Sequence, residues 1–83
     1  MKARLGVELT ESYARLRIWA AHLRDNRRGW VSSAGKLLVG TLDAWHHQKG
    51  QAVADNLTEP LEDSIALLVG RLVLSGHVPT LGN

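Results

Sequence analysis

With successive residues turned by about 100°, as in a helix, the chain sorts into three stretches that each carry an apolar side, with short breakers between them. In the first, Leu9, Tyr13, Leu16, Trp19, Ala20 and Leu23 fall within an arc of about 120°, the width of a helix face that packs on a core. This predicts a helix over about 10–26, opened by Thr10 or Glu11 and closed by Asn26, Arg27, Arg28 and Gly29. The cations suit a helix carboxyl end, and the glycine suits a left-handed cap.

The second stretch is expected to start at Ser32 or Ser33, whose hydroxyls suit an N-cap, and to run to about Asp55. Ala34, Leu38, Leu42, Trp45, Ala52 and Val53 share its apolar face. Gly35, Gly40 and Gly50 each cost about 1 kcal/mol against alanine in a helix interior. Their presence predicts a close helix approach at Gly40 and Ala44, or a bend near Gly50.

The third stretch reads as a helix from about 59 to 75, with Thr58 as cap, Glu59 and Glu62 in the first turn, Pro60 at an early position and Gly76 as terminator. Leu61, Ile65, Leu68, Val69, Leu72 and Val73 form its core face. Leu67 and Leu74, seven residues apart, project from nearly the opposite side. A helix that is apolar nearly all round is buried on more than one side.

Size turns that pattern into an expectation about assembly. A chain of 83 residues and 9.1 kDa has room for one domain. Folding alone, such a chain buries only about 63% of its unfolded surface, so its core is marginal. With no cysteine, neither disulfides nor thiolate metal sites can staple it. The expected architecture is therefore an all-α, three-helix domain covering 1–83 that forms an intertwined or helix-packed homodimer. Its interface is expected at Leu67, Gly70, Arg71 and Leu74, with Gly70 permitting close approach and Arg71 meeting Asp63 or Glu62 across a two-fold axis.

At 45% hydrophobic and 22% charged, the chain is too apolar for disorder and too interrupted by charge for a membrane span. No apolar run at the amino terminus resembles a signal peptide, so a soluble, cytoplasmic protein without a membrane partner is expected. The net charge of +2 hides a split: residues 1–36 hold eight Lys/Arg against three Asp/Glu, and residues 37–83 hold two against five. Arg17, Arg24 and Arg28 lie within about 40° on the first helix, with Arg27 beside them. That ridge could contact the phosphates of DNA or RNA, or serve as a solvated flank.

Other chemistry finds less support. A helix-turn-helix reading of residues 32–50 fails on spacing, because Lys36 and His46 would occupy positions that such a motif buries. His22, His46, His47 and His77 never stand four apart on a helix, so no metal is expected. No phosphate loop, nucleophile elbow or facing carboxylate pair is present, so neither catalysis nor a cofactor is expected. Ile18, opposite the core face, and Trp30, in the Arg28-Gly29-Trp30 connection, are candidate contacts for a partner protein. The function expected on these grounds is a small regulatory or adaptor module that binds another protein, with nucleic-acid binding through the Arg ridge as the alternative.

Overall fold

The computed structural model describes residues 2–50 and 55–79, with side chains described over 9–50 and 58–79. It is all-α, with helices α1 (Lys2–Asn26), α2 (Gly29–Lys49) and α3 (Asp55–Leu74) forming a bundle 38 Å long and about 20 Å across. Helix α2 is the middle element and packs on both of the others.

The core forms where the three apolar faces meet. Leu9, Leu16, Trp19, Ala20 and Leu23 of α1 are buried against Val31, Ala34, Leu38, Val39, Leu42 and Trp45 of α2 and Ile65 and Leu72 of α3. Tyr13, Leu61, Leu68 and Val69 pack around that cluster as partly buried residues. The periodicity misassigns Val73, which is 40% exposed. Ala52 and Val53 lie outside the described residues.

The helix ends depart from the expected boundaries for local reasons. Helix α1 starts at Lys2 instead of near Thr10, because Ala3, Arg4, Leu5 and Glu8 are good helix formers and each added residue gains a backbone hydrogen bond. Helix α2 starts at Gly29, three residues before the first of the expected serine caps. Arg28 takes the extended N-cap conformation with no side-chain cap, and the Ser32 hydroxyl instead donates to the Arg24 carbonyl at 2.7 Å. The same helix ends at Lys49, with Gly50 as its cap, so the expected run to Asp55 does not form. Helix α3 starts at Asp55, which puts Thr58 inside the helix, buried, instead of at its cap.

Two glycines hold the conformations that turns require. Gly29 has φ of 65° and lets the chain reverse between α1 and α2. Gly76 has φ of 92°, with its N–H donating to the Val73 carbonyl at 2.9 Å and the His77 N–H to the Leu72 carbonyl at 2.8 Å. That pair of bonds is the Schellman ending of a helix.

The close helix approach lies at Gly35, not at Gly40 and Ala44. A Cβ on Gly35 would stand 2.7 Å from the Ala20 carbonyl oxygen and 2.7 Å from the Arg24 nitrogen, whereas one on Gly40 would meet nothing within 4 Å. Glycine on α2 and Ala20 on α1 thus bring the two backbones together at the level of Leu23, and the core on either side of that point can close.

Candidate functional site

The four arginines of the expected ridge divide into two pairs. Arg17 forms a two-pronged ion pair with Asp43 of α2, Nε to Oδ1 at 2.7 Å and Nη2 to Oδ2 at 3.0 Å. The Tyr13 hydroxyl donates to the same Oδ1 at 2.8 Å. The Arg17 hydrogen bonds hold the Asp43 carboxyl below its ordinary value, and the same carboxylate raises the Arg17 pKa. Burial, reinforced by Asp43, raises the Tyr13 phenol. Arg17 therefore ties α1 to α2. Arg24 pairs with its neighbour Asp25 at 2.9 Å in an exposed contact that adds little to stability. Arg27 and Arg28 stand exposed in the α1–α2 connection, with no acidic partner among the described residues.

The residues expected at a dimer interface form one continuous surface. A groove of about 370 Å³ runs along the outer face of α3, lined by Ala66, Leu67, Gly70, Arg71, Leu74 and Ser75. Leu67 is 75% exposed and Leu74 is 90% exposed. A Cβ on Gly70 would meet nothing within 4 Å, so the groove floor is open backbone.

Trp30 joins this surface from the neighbouring helix. The guanidinium of Arg71 lies 4.8 Å from the centre of its ring, and His77 meets the ring edge-on at 6.3 Å. A cation over an indole face is attracted by the ring quadrupole, and its in-plane N–H donors stay open to other partners. Two residues expected in separate roles, Trp30 and Arg71, are thus in contact. Ile18 stays on the outer face of α1, 70% exposed.

One functional-looking carboxylate has a structural task. Glu62 is buried on α3 and accepts a hydrogen bond from the Trp45 indole N–H at 2.9 Å. It is therefore not an outward partner for Arg71. The sequence did carry a signal, since Glu62 falls within the apolar arc of α3 and a tryptophan on the facing helix brings a donor that needs an acceptor.

A second depression of about 420 Å³ lies between α1 and α2, where Tyr13 stacks on His46 at 4.4 Å and Lys49 approaches Trp45 at 5.8 Å. Of its polar groups, the Tyr13 hydroxyl donates to Asp43 of α2 and the Trp45 indole N–H to Glu62 of α3. Among the described residues no cluster of three His, Cys, Asp or Glu side chains is placed to hold a metal ion. Within the same residues no helix is long and apolar enough to cross a membrane. No family model matches the chain, and no curated protein or solved structure matches it either.

Proposed function

We propose that the chain is a small regulatory or adaptor module that works as a homodimer and acts by binding through surfaces, not by catalysis. The observation that carries this reading is the outer face of α3, where Leu67 at 75% and Leu74 at 90% exposure flank the open backbone of Gly70. Burying a leucine is worth about 1.5–3 kcal/mol, so two leucines in water forgo a large part of the stability available to so short a chain. A second copy recovers it.

A second partner class rests on Arg27 and Arg28, whose exposed charges suit the phosphates of DNA or RNA. These two cations carry that reading alone, since Arg17 is committed to Asp43 and Arg24 to Asp25.

The test of the dimer is light scattering coupled to size exclusion on the protein and on Leu67→Glu/Leu74→Glu. The expected result is a mass of about twice 9.1 kDa for the protein and a helical monomer for the variant, because both positions face away from the core. A dimer that survives both glutamates would remove the α3 face from the account.

A further inference from the structure

The end of the bundle where α1 turns into α2 carries a second surface, and the inference drawn from it rests on the reading of the chain as a module that acts by binding. We infer that this end docks an acidic segment of a partner protein, a stretch that carries several carboxylates beside an apolar side chain.

Trp30 gathers the surface. It is the second residue of α2, and its ring meets Arg71 of α3 at 4.8 Å and His77, just past the end of α3, at 6.3 Å. Arg27 and Arg28 precede it across the Gly29 turn, and Val78, 68% exposed, follows His77. Segments far apart in the chain thus put three exposed arginines at the same end of the bundle as a part-exposed indole, 41% open to water.

Charge selects the partner. Arg27, Arg28 and Arg71 have no acidic partner among the described residues, where the ion pairs take up Arg17 and Arg24. The acids that could have neutralised them are engaged. Asp25, the nearest in sequence to Arg27, is held by Arg24 at 2.9 and 3.2 Å, and Glu62 accepts from the Trp45 indole. Glu59 and Asp63 of α3 have interactions of their own. The first turn of α2 also holds no acidic residue, so the positive end of that helix adds to the field of the arginines. A surface of one sign attracts and orients a partner of the other sign.

The chemistry around Trp30 suits a protein segment better than a nucleic acid. One face of the indole is already covered by the Arg71 guanidinium, which takes the place that a stacked nucleobase would need on that side. The in-plane donors of Arg71 stay open, in the fork that matches a carboxylate. Val78 and the exposed part of Trp30 add apolar area, which a side chain of a protein can cover and a sugar-phosphate backbone cannot. Tryptophan and arginine are also the residue types that carry most of the binding energy at protein interfaces. The surface adjoins the α3 groove without coinciding with it: Arg71 borders both, whereas Arg27, Arg28 and Trp30 line none of the groove.

Selection from random peptides displayed on phage reads the preference without presuming a sequence. The full chain is the bait at about 150 mM salt, where exposed charges more than about 8 Å apart are largely screened. The expected result is enrichment of peptides rich in Asp and Glu beside a Leu, Phe or Trp. Their affinity should fall about tenfold or more on Arg27→Glu/Arg28→Glu, on Arg71→Glu and on Trp30→Ala, and stay within about twofold on Lys36→Glu, an exposed cation of α2 outside the surface. Circular dichroism checks each fold. Should Trp30→Ala not fold, the arginine variants, all at exposed positions, decide the matter. Neutral or basic peptides, or acidic ones held equally by every variant, overturn the acidic segment while the chain remains a binding module. If no peptide is enriched, and a fluorescein-labelled single-stranded oligonucleotide binds and loses affinity in the same variants, the occupant is nucleic acid and the acidic segment is overturned. No enrichment and no oligonucleotide binding overturn both the acidic segment and the binding module. Light scattering on the same variants follows the dimer separately.

Discussion

Replacing Gly35 by alanine adds one carbon where α1 and α2 cross. The new Cβ would sit 2.7 Å from the Ala20 carbonyl oxygen, 2.7 Å from the Arg24 nitrogen and 3.1 Å from the Leu23 Cβ. Two of these atoms are helix backbone and cannot swing aside, so the helices must separate by several tenths of an ångström to restore ordinary contact. A gap of that size forfeits roughly a quarter of each contact along the seam, including those that bury Leu16, Leu23, Leu38 and Leu42. Overpacking of this kind costs about 1–3 kcal/mol, while alanine regains about 1 kcal/mol of helix propensity. The expected net loss is about 0–2 kcal/mol, a fall in Tm of up to about 15 °C for a domain of this size, and the deficit against a glycine-to-alanine change in open space is about 1–3 kcal/mol. Gly40→Ala is the matched control, since its Cβ would meet nothing within 4 Å. That variant should melt a few degrees above the unmodified protein. Thermal melts by circular dichroism at one fixed protein concentration compare the three, because the Tm of a dimer depends on concentration. A Gly35→Ala protein as stable as Gly40→Ala would refute the close crossing.

Three further outcomes are expected. Glu62→Leu should lose about 1–3 kcal/mol in urea unfolding, because the buried Trp45 indole keeps its donor and loses its acceptor; Glu62→Gln, which retains an acceptor oxygen, should lose less, and equal losses would show that the hydrogen bond is not what matters. Asp43→Asn should lower Tm near neutral pH. The Asp43 carboxyl is held below its ordinary value in the folded chain, so its contribution is present above the unfolded value of about 3.9 and disappears as pH falls through the folded one. The gap between protein and variant should therefore narrow as pH falls below the unfolded value and vanish once the carboxyl is protonated in the folded chain too, and one that persists in strong acid would trace the effect to packing. If nucleic acid binds, Arg27→Ala/Arg28→Ala should reduce both affinity and salt slope in polarisation titrations between about 50 and 200 mM salt, whereas Arg17→Ala should leave the slope unchanged.

What the sequence made legible was whatever a single helix decides for itself. The stripe from Leu9 to Leu23 and the row of Ala34, Leu38, Leu42 and Trp45 are buried as periodicity predicts, because each residue's face depends only on its spacing. The exposure of Leu67 and Leu74 was readable for the same reason. Gly29 and Gly76 take the left-handed conformations that their places after α1 and α3 suggest. What depends on how two helices cross was not readable. By spacing Gly35 falls within the arc of Leu38, Leu42 and Val39 and Gly40 on the side opposite, but only the crossing shows how closely the backbone of α1 approaches Gly35. Arg17 belonged to an exposed ridge until α2 brought Asp43, 26 residues away, to its guanidinium. Helix starts were misplaced where Ser32 and Thr58 were read as caps, because a hydroxyl can serve equally well in a contact between elements, as Ser32 does with Arg24.

We propose that this chain completes its fold against a second copy of itself. Sedimentation equilibrium from about 1 to 100 µM tests it most directly. The account predicts a single reversible monomer–dimer equilibrium that reaches about twice 9.1 kDa within that range. A mass of 9.1 kDa at every concentration, with helicity intact, would contradict it.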